Sequence, residues 1–420
     1  MTAPFDVDRL RQDFPALASG LAFFDGPGGT QTPKQVGEAI ASTLTGPLSN
    51  RGSDSLSQRN ANDAVLAFRA AMADLLDADQ RGIVHGRSAT TLTYDISRAL
   101  AKEWREGDEV IVTRLDHDAN VRPWVQAAQA VGAVVRWAEF DPATAELGVE
   151  SIAALLSPRT KLVAVTAASN LLGTMPDVRA ITVAAHEVGA LVYVDGVHAA
   201  AHRLLSVREL GADLLVCSPY KFLGPHCGVL AAAPELLERL RPDKLLPASN
   251  TVPERFEHGT LPYEVLAGVT AAVDYLAAMA DFSGEARVAG DTRDAGEVGG
   301  ELGRGPRRAR LLASFTALEA HETRLRRRLE QGVADMPGVR AWSRANRRTP
   351  TLLFTFEGRP AVDISRQLLS AGVLAPSGNF YALEASRHLG LDDRGGLRIG
   401  LAPYSDDADV DRLLTALAAS

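Results

Sequence analysis

The chain has 420 residues, 46% hydrophobic and 23% charged, an ordinary globular composition with enough length to bury a large core. A formal net charge of −8 and the lack of basic runs interleaved with aromatics argue against a nucleic-acid partner. No apolar run of membrane-spanning length stands out, Met1 to Asp8 lack a basic-then-apolar signal, and two cysteines cannot build a disulfide framework, so a cytoplasmic protein with no membrane partner is expected.

In chain order, residues 1–20 read as a short helical arm. Leu21 to Phe24 then run into Asp25-Gly26-Pro27-Gly28-Gly29-Thr30, either a tight turn or a loop lining a pocket. Val65, Phe68, Met72, Leu75 and Leu76 share one face of a helix predicted over Asp63 to Leu76. The stretch from Gly82 to Thr91 is a short strand followed by a hydroxyl-rich turn into a second helix ending near Leu100. Ser88 and Thr90 there serve either as helix caps or as part of an anion site. From residue 108 strands and helices alternate. Strands are predicted at 109–113, 134–139, 162–166, 191–194, 214–217 and 229–232, and helices at 121–131, 149–156, 178–188 and 207–210. This is the pattern of an α/β fold with a mostly parallel sheet covered on both faces.

Residues 281–308, rich in Gly, Asp, Glu and Arg, read as an exposed insertion. The arginines Arg304, Arg307, Arg308, Arg310, Arg324 and Arg326 to Arg328 read as a solvated loop and helix face. A long helix over 309–333 follows. Short strands (339–342, 352–356, 397–401) then mix with helices (362–371, 407–418), the pattern of a smaller α+β domain. The division is a large domain over 21–280, an insertion over 281–308, and a small domain from 1–20 with 309–420.

In parallel α/β sheets ligands bind at the carboxyl ends of strands. Asp116 and His117, Ser169 and Asn170, Asp195 and His198, and Ser218, Tyr220 and Lys221 all fall at such ends. A lysine delivered into a turn by the 214–217 strand is either a plain surface charge or an amine positioned for Schiff-base chemistry. A pyridoxal phosphate site needs that lysine, a carboxylate for the pyridine nitrogen, a flat group against the ring, phosphate donors and an arginine for the substrate carboxylate. The chain supplies a candidate for each. His198 and His202 are spaced i, i+4, but no third metal ligand is evident, so no metal is expected. Cys217 reads as a small buried hydrophobe, and Trp124 and Trp137 as packing residues.

In these motifs the chain resembles the class V aminotransferase family of fold-type I pyridoxal phosphate enzymes, and most of all its cysteine desulfurase-like branch, from about residue 20 to the C-terminus with 281–308 outside the resemblance. Ser218-Pro219-Tyr220-Lys221 resembles Ser-Gly-His-Lys, which makes Lys221 the Schiff-base lysine. Val194-Asp195-Gly196-Val197-His198 resembles Val-Asp-Gly-Ala-Gln or -His, implying Asp195 at the pyridine nitrogen and His198 near the ring hydroxyl. Asp116-His117-Asp118-Ala119-Asn120 is similar to Glu-His-His-Ala-Asn, implying His117 on the ring face. Ser169-Asn170-Leu171-Leu172-Gly173-Thr174 resembles Ser-Asn-Val-Leu-Gly-Thr, placing Asn170 near the ring hydroxyl. Arg87-Ser88-Ala89-Thr90 stands where the family has its phosphate turn. Arg255 to Thr260 resembles Arg-Phe-Glu-Ala-Gly-Thr, whose threonine reaches the phosphate of the partner subunit, so a homodimer is implied. Leu397-Arg398-Ile399-Gly400 resembles the segment with the substrate-carboxylate arginine. Gly28, Gly29 and Asn379 are further substrate-contact candidates, on loops that resemble those at the family's active-site mouth. The implied architecture is a large domain with a seven-stranded-type sheet and a smaller C-terminal domain.

The resemblance breaks at one place. Desulfurases carry a nucleophilic cysteine in a Gly-His-His-Cys segment; the matching Ser377-Gly378-Asn379-Phe380-Tyr381-Ala382 has none. A further departure is Tyr220, where the family commonly has His. The expected activity is β-elimination of a C–S bond in an amino acid. Transamination and epimerisation are the alternatives within the family, and a catalytically silent cofactor-binding or accessory protein is the alternative outside it.

Overall fold

The computed structural model describes residues 5–282 and 306–419. Its strands are β1 Ala22–Phe23, β2 Ile83–Gly86, β3 Glu109–Thr113, β4 Val134–Ala138, β5 Thr160–Thr166, β6 Leu191–Asp195, β7 Leu214–Cys217, β8 Gly228–Ala232, β9 Val339–Ala341, β10 Thr351–Phe356, β11 Val373–Leu374, β12 Ser377–Gly378 and β13 Gly396–Gly400. Seven of them form one sheet in the order β2-β8-β7-β6-β5-β3-β4. Only β8 runs against its neighbours, so the other six end at the same edge. The predicted alternation therefore yields the expected mostly parallel α/β sheet.

Alternate residues of these strands enter two separate apolar layers. Ile111, Val163, Val165, Val192, Val194 and Leu215 pack on one face. Val110, Val112, Leu162, Ala164, Tyr193 and Leu214 pack on the other. A sheet buried on both faces needs apolar residues at every position, which is why its strands read as unbroken apolar runs. A second, antiparallel sheet has the order β12-β13-β10-β9. Its core joins Leu352, Phe354, Leu397 and Ile399 to Leu325 and Leu329 of the long helix Pro306–Ala334 and to Leu413 and Leu417 of helix Asp407–Ala418. The chain start is stitched to this part through β1, which pairs with β11.

Several expectations need correction. The helix predicted from Asp63 begins at Leu56, because Ser55 and Gln58 form a reciprocal capping box at its N-terminus. Helices Lys34–Thr45 and Tyr263–Ala278 had no counterpart in the sequence reading. The second of these overturns the statement about apolar length. Residues Tyr263–Phe282 are long and apolar enough to cross a membrane by composition, with mean hydropathy 1.5. The helix instead packs against helices Lys34–Thr45, Leu56–Leu76 and Pro306–Ala334, so its apolar surface faces protein. Of the proposed insertion, Asp281 and Phe282 close a 3₁₀ turn and residues 306–308 already belong to the long helix; 283–305 lie outside the described residues. Arg308 is not solvated. It is 5% exposed and donates to the carbonyls of Asp74, Leu75 and Leu205.

One buried ion network fixes the segment that leads to Thr260. Arg69, 6% exposed, donates to Glu254 at 2.7 Å and to Glu257 at 2.8 Å, and Arg51 adds a second contact to Glu254 at 3.0 Å. Burial holds the Glu257 carboxyl above its ordinary range in spite of Arg69. Removing the cation leaves a buried carboxylate without its partner, the costly half of a broken pair. Arg69→Met is expected to lose about 3 kcal/mol of stability, read as a lower urea midpoint with unchanged m-value; an unmoved midpoint would refute the assignment.

Candidate active site

The shared edge of the parallel strands opens into a cleft of about 590 Å³. Each strand delivers its chemistry just past its last residue. β2 leads to Ser88, β3 to Asp116 and His117, β5 to Asn170, β6 ends on Asp195, and β7 leads to Ser218, Tyr220 and Lys221. From the second sheet, β13 contributes Arg398 and the loop after β12 contributes Phe380 and Tyr381.

Lys221 sits in a 3₁₀ turn, Pro219–Lys221, and donates a short hydrogen bond to the Pro27 carbonyl. Its Nζ lies 4.9 Å from the centre of the Tyr220 ring, which stacks on His226. Burial, helped by the Arg398 charge and opposed by Asp195, brings the amine down to about 7. Asp195 accepts from the Val197 N–H at 2.9 Å, and burial pushes its carboxyl up to about 6. His117 accepts the Ala119 N–H on Nδ1 at 3.0 Å, which leaves the ring proton on Nε2. Burial and Lys221 hold that imidazole down at about 4, so it is neutral at pH 7.

A second carboxyl lies beneath. Asp116 accepts from Asn120 Nδ2 at 2.7 Å and, in a short contact, from Thr113; Asn120 in turn accepts from Trp124 Nε1 at 3.0 Å. Burial pushes Asp116 up to about 8 against those hydrogen bonds, and the Asp195 charge adds to the rise. The Asp116-to-Trp124 chain thus braces the backbone that carries His117.

Arg398 donates Nη1 to the Asn170 carbonyl at 3.1 Å, and the Phe380 ring covers its guanidinium at 3.7 Å. Gly28 packs beside it. A Cβ there would lie 3.0 Å from the Asp25 carbonyl and 3.6 Å from Arg398 Nη2. Burial lowers Arg398 to about 9, and the nearby Asp25 opposes the drop. Asn170 Nδ2 donates to the Phe380 carbonyl at 2.9 Å. His198 Nε2 lies 3.0 Å from the hydroxyls of both Thr349 and Thr351, joining the two sheets across the cleft floor, and burial holds its ring neutral. His202, its helical neighbour, pairs with the buried Glu322 at 3.0 Å.

Ser88 caps helix Ala89–Ala101, its hydroxyl accepting the Thr91 N–H at 3.1 Å. The N–H groups of Ala89 and Thr90 in that first turn are left for an anion. β8 can approach this turn only because residue 228 is glycine: a Cβ would fall 2.3 Å from the Ser88 carbonyl carbon.

Of the residues picked from the sequence, Gly28, Ser88, Ala89, Thr90, His117, Asn170, Asp195, His198, Ser218, Tyr220, Lys221 and Arg398 line this one cleft. Gly29 does not; it lies against the Tyr220 ring instead. Asn379 does not either. Its Nδ2 donates to the Asp393 carbonyl and its Oδ1 accepts the Tyr381 N–H, turning the amide away from the cleft. Thr260, assigned by the resemblance to the site of a partner subunit, is exposed and outside the cleft of its own chain. The sequence reading missed Tyr94, Asp118 and Arg122 as lining residues and gave Phe380 and Tyr381 no contact role. An aromatic pair directly after Gly378-Asn379 was the available signal.

A family model described as aminotransferase class-V matches residues 22–288 and 309–413. An uncharacterised protein of Mycobacterium tuberculosis is 35% identical over 421 residues, covering 99% of each chain. A probable cysteine desulfurase of Mycolicibacterium paratuberculosis is 30% identical over 98% of this chain, which spans 58% of that longer relative. Among solved structures, the Escherichia coli cysteine desulfurase CsdA matches with a TM-score of 0.83 at 26% identity, over 98% of both chains. The chain belongs to the class V aminotransferase family. It is a fold-type I enzyme of a family that depends on pyridoxal phosphate and acts on small amino-acid substrates.

The residues present fit that cofactor. Three buried polar atoms of the cleft, Asn170 Oδ1, His198 Nδ1 and Arg398 Nε, have no protein partner, and neither does Asp25 Oδ1 beside Arg398. Buried polar groups in proteins are otherwise almost always paired, so these atoms are left with bonding capacity that a ligand in the cleft could use.

The lysine titration yields a stability test. In protein prepared without cofactor, the folded amine titrates near 7 and the unfolded one near 10.5. Between those values the unfolded chain binds more protons, so stability rises with pH; below the lower value the full penalty of a buried ammonium applies. Lys221→Met is expected to unfold at a higher urea midpoint than the unmutated protein at about pH 6, with most of the gap closed by about pH 10. A gap independent of pH would refute the desolvated amine.

Proposed function

We propose that this protein is a pyridoxal phosphate-dependent lyase that breaks the C–S bond of an amino acid, working in the cytoplasm as a homodimer. The observation that carries the reading is one cleft holding Lys221, Asp195 and Arg398 beside a loop, Ser377 to Ala382, that contains no thiol. Both cysteines, Cys217 and Cys227, are free and buried, with thiols raised by desolvation, which supports neither a persulfide carrier nor an oxidising compartment.

In this reading Lys221 would hold the cofactor, Asp195 would face its ring nitrogen, His117 its ring face, and Asn170 and His198 its hydroxyl. The Ala89 and Thr90 N–H groups, with Ser218 and Tyr220, would hold the phosphate, and Thr260 would reach the site of a second copy. When bound, the cofactor supplies an electron sink for negative charge at the substrate Cα. Arg398 binds and orients the α-carboxylate through the edge that Gly28 leaves open. Lys221 is placed to act as the base at Cα, because burial lowers its amine to about 7, where it is substantially neutral at physiological pH. His117, lowered to about 4 and with its Nδ1 lone pair already accepting the Ala119 N–H, is too weak a base to take that proton instead. The proton then goes from Lys221 to the departing sulfur, which leaves with its substituent as a free thiol. The balance is amino acid plus water giving thiol, pyruvate and ammonia.

The test begins with the visible absorbance of lysine-bound cofactor. It is expected in the reconstituted protein and lost in Lys221→Ala; a protein that takes up no cofactor ends this reading, and one that takes it up but turns over no amino acid is the silent cofactor-binding protein. Loaded protein supplied with cysteine or its S-conjugates is expected to release pyruvate and thiol in equal amounts. Ping-pong exchange with a keto acid instead would overturn the lyase in favour of a transaminase.

A further inference from the structure

The loop that replaces the desulfurase cysteine is fastened through its main chain. Asn170 Nδ2 donates to the Phe380 carbonyl at 2.9 Å and the Asp118 N–H donates to the Tyr381 carbonyl at 2.7 Å. Just downstream, Glu384 takes Arg114 at 2.8 Å and Arg122 at 3.4 Å. These contacts hold Phe380 at φ 53° and Tyr381 at φ 58°. Two successive aromatic residues in the left-handed region are disfavoured, and such strain persists where the surroundings impose it, typically at functional sites.

The strained backbone aims both side chains at the cleft. Phe380 covers Arg398, and the Tyr381 ring lies 5.6 Å from His117, tilted by 32°, while remaining 74% exposed. A ligand whose carboxylate sits on Arg398 and which extends toward the mouth passes Phe380 and then Tyr381, with Tyr94 also lining the space. The charged residues there are already neutralised: Arg122 pairs with Asp118 at 2.8 Å as well as with Glu384. Among the described residues of this chain, the mouth therefore offers aromatic surface and paired charges to whatever lies beyond the substrate Cβ.

We propose that Phe380 and Tyr381 form a fixed aromatic wall that selects substrates by an apolar or aromatic substituent beyond Cβ. Applied to the lyase reading, on which this last step rests, the preferred substrate is a cysteine S-conjugate with a bulky apolar or aryl group on sulfur. Free cysteine leaves the wall empty.

Two unreactive carboxylates test the wall separately from the reaction. Propionate and 3-phenylpropionate share the anchor for Arg398 and differ by a ring. Calorimetry on the cofactor-loaded protein, repeated on cofactor-free protein, is expected to show 3-phenylpropionate binding about tenfold more tightly. Tyr381→Ala is expected to cut that preference to about threefold or less with propionate affinity and cofactor absorbance retained, and Tyr381→Phe to keep it. Equal affinities in the unmutated protein, or a preference that survives Tyr381→Ala, would overturn the wall. In turnover, S-benzylcysteine is expected to exceed cysteine in kcat/KM for pyruvate release by about tenfold. Pyruvate from neither, with the ring preference intact, removes the lyase reading and leaves the wall standing.

Discussion

The structure depends on desolvating charged groups together at one edge of a sheet. Lys221, Arg398, Asp195 and Asp116 are all displaced from their ordinary titration ranges, and burial is the leading cause in each case. None is neutralised by a tight ion pair. Lys221 donates to the Pro27 carbonyl and Arg398 to the Asn170 carbonyl, and a carbonyl satisfies a donor without cancelling its charge. Arg398 is thereby fixed in place while its attraction for an anion is kept, and in a partly dry cleft that attraction is strong. Two apolar layers, one on each face of the seven-stranded sheet, hold the edge rigid enough to sustain the cost.

The second sheet is part of the same device. Arg398 reaches the cleft from β13, and the hydroxyls of Thr349 and Thr351 meet His198 from the other side. The Met175 N–H to Arg347 carbonyl and the Thr349 N–H to Gly173 carbonyl bonds, each 2.9 Å, lock the turn after Asn170 to the entry of β10. Asn170 therefore stands at the join, bonded to Arg398 and to Phe380. The carboxylate-binding arginine, the loop and the strand-end residues are registered against one another through a single side chain and its carbonyl.

How much of this was legible in the sequence follows from what each residue type signals. β3, β5, β6 and β7 were readable because strands buried on both faces are largely continuous apolar runs, and the ends of β6 and β7 placed Asp195 and Lys221 without any coordinate. Helix Tyr263–Ala278 was missed for the opposite reason: it is apolar nearly all round, so no face stands out by periodicity. Helix Lys34–Thr45 was overlooked although Val36, Ile40 and Leu44 stand at i, i+4 and i+8; its small residues and Gly37 between them dilute that stripe. Arg308 looked like its charged neighbours, and only the carbonyls it meets at Asp74, Leu75 and Leu205 distinguish it. Asn379 was assigned to the substrate because of its loop; its amide instead donates to the Asp393 carbonyl, a partner that no local pattern signals.

The manner in which that loop is fastened bears on how such enzymes diverge. Its two anchors from the large sheet's edge, Asn170 and Asp118, grip the carbonyls of residues 380 and 381 and leave their side chains out of the joint. Every residue has a carbonyl, so the seat accepts a different amino acid at either position without losing its attachment. The segment behaves as an exchangeable cartridge in a standard socket: a lineage can swap the chemistry facing the substrate while the cofactor-facing residues, on other strand ends, stay as they are.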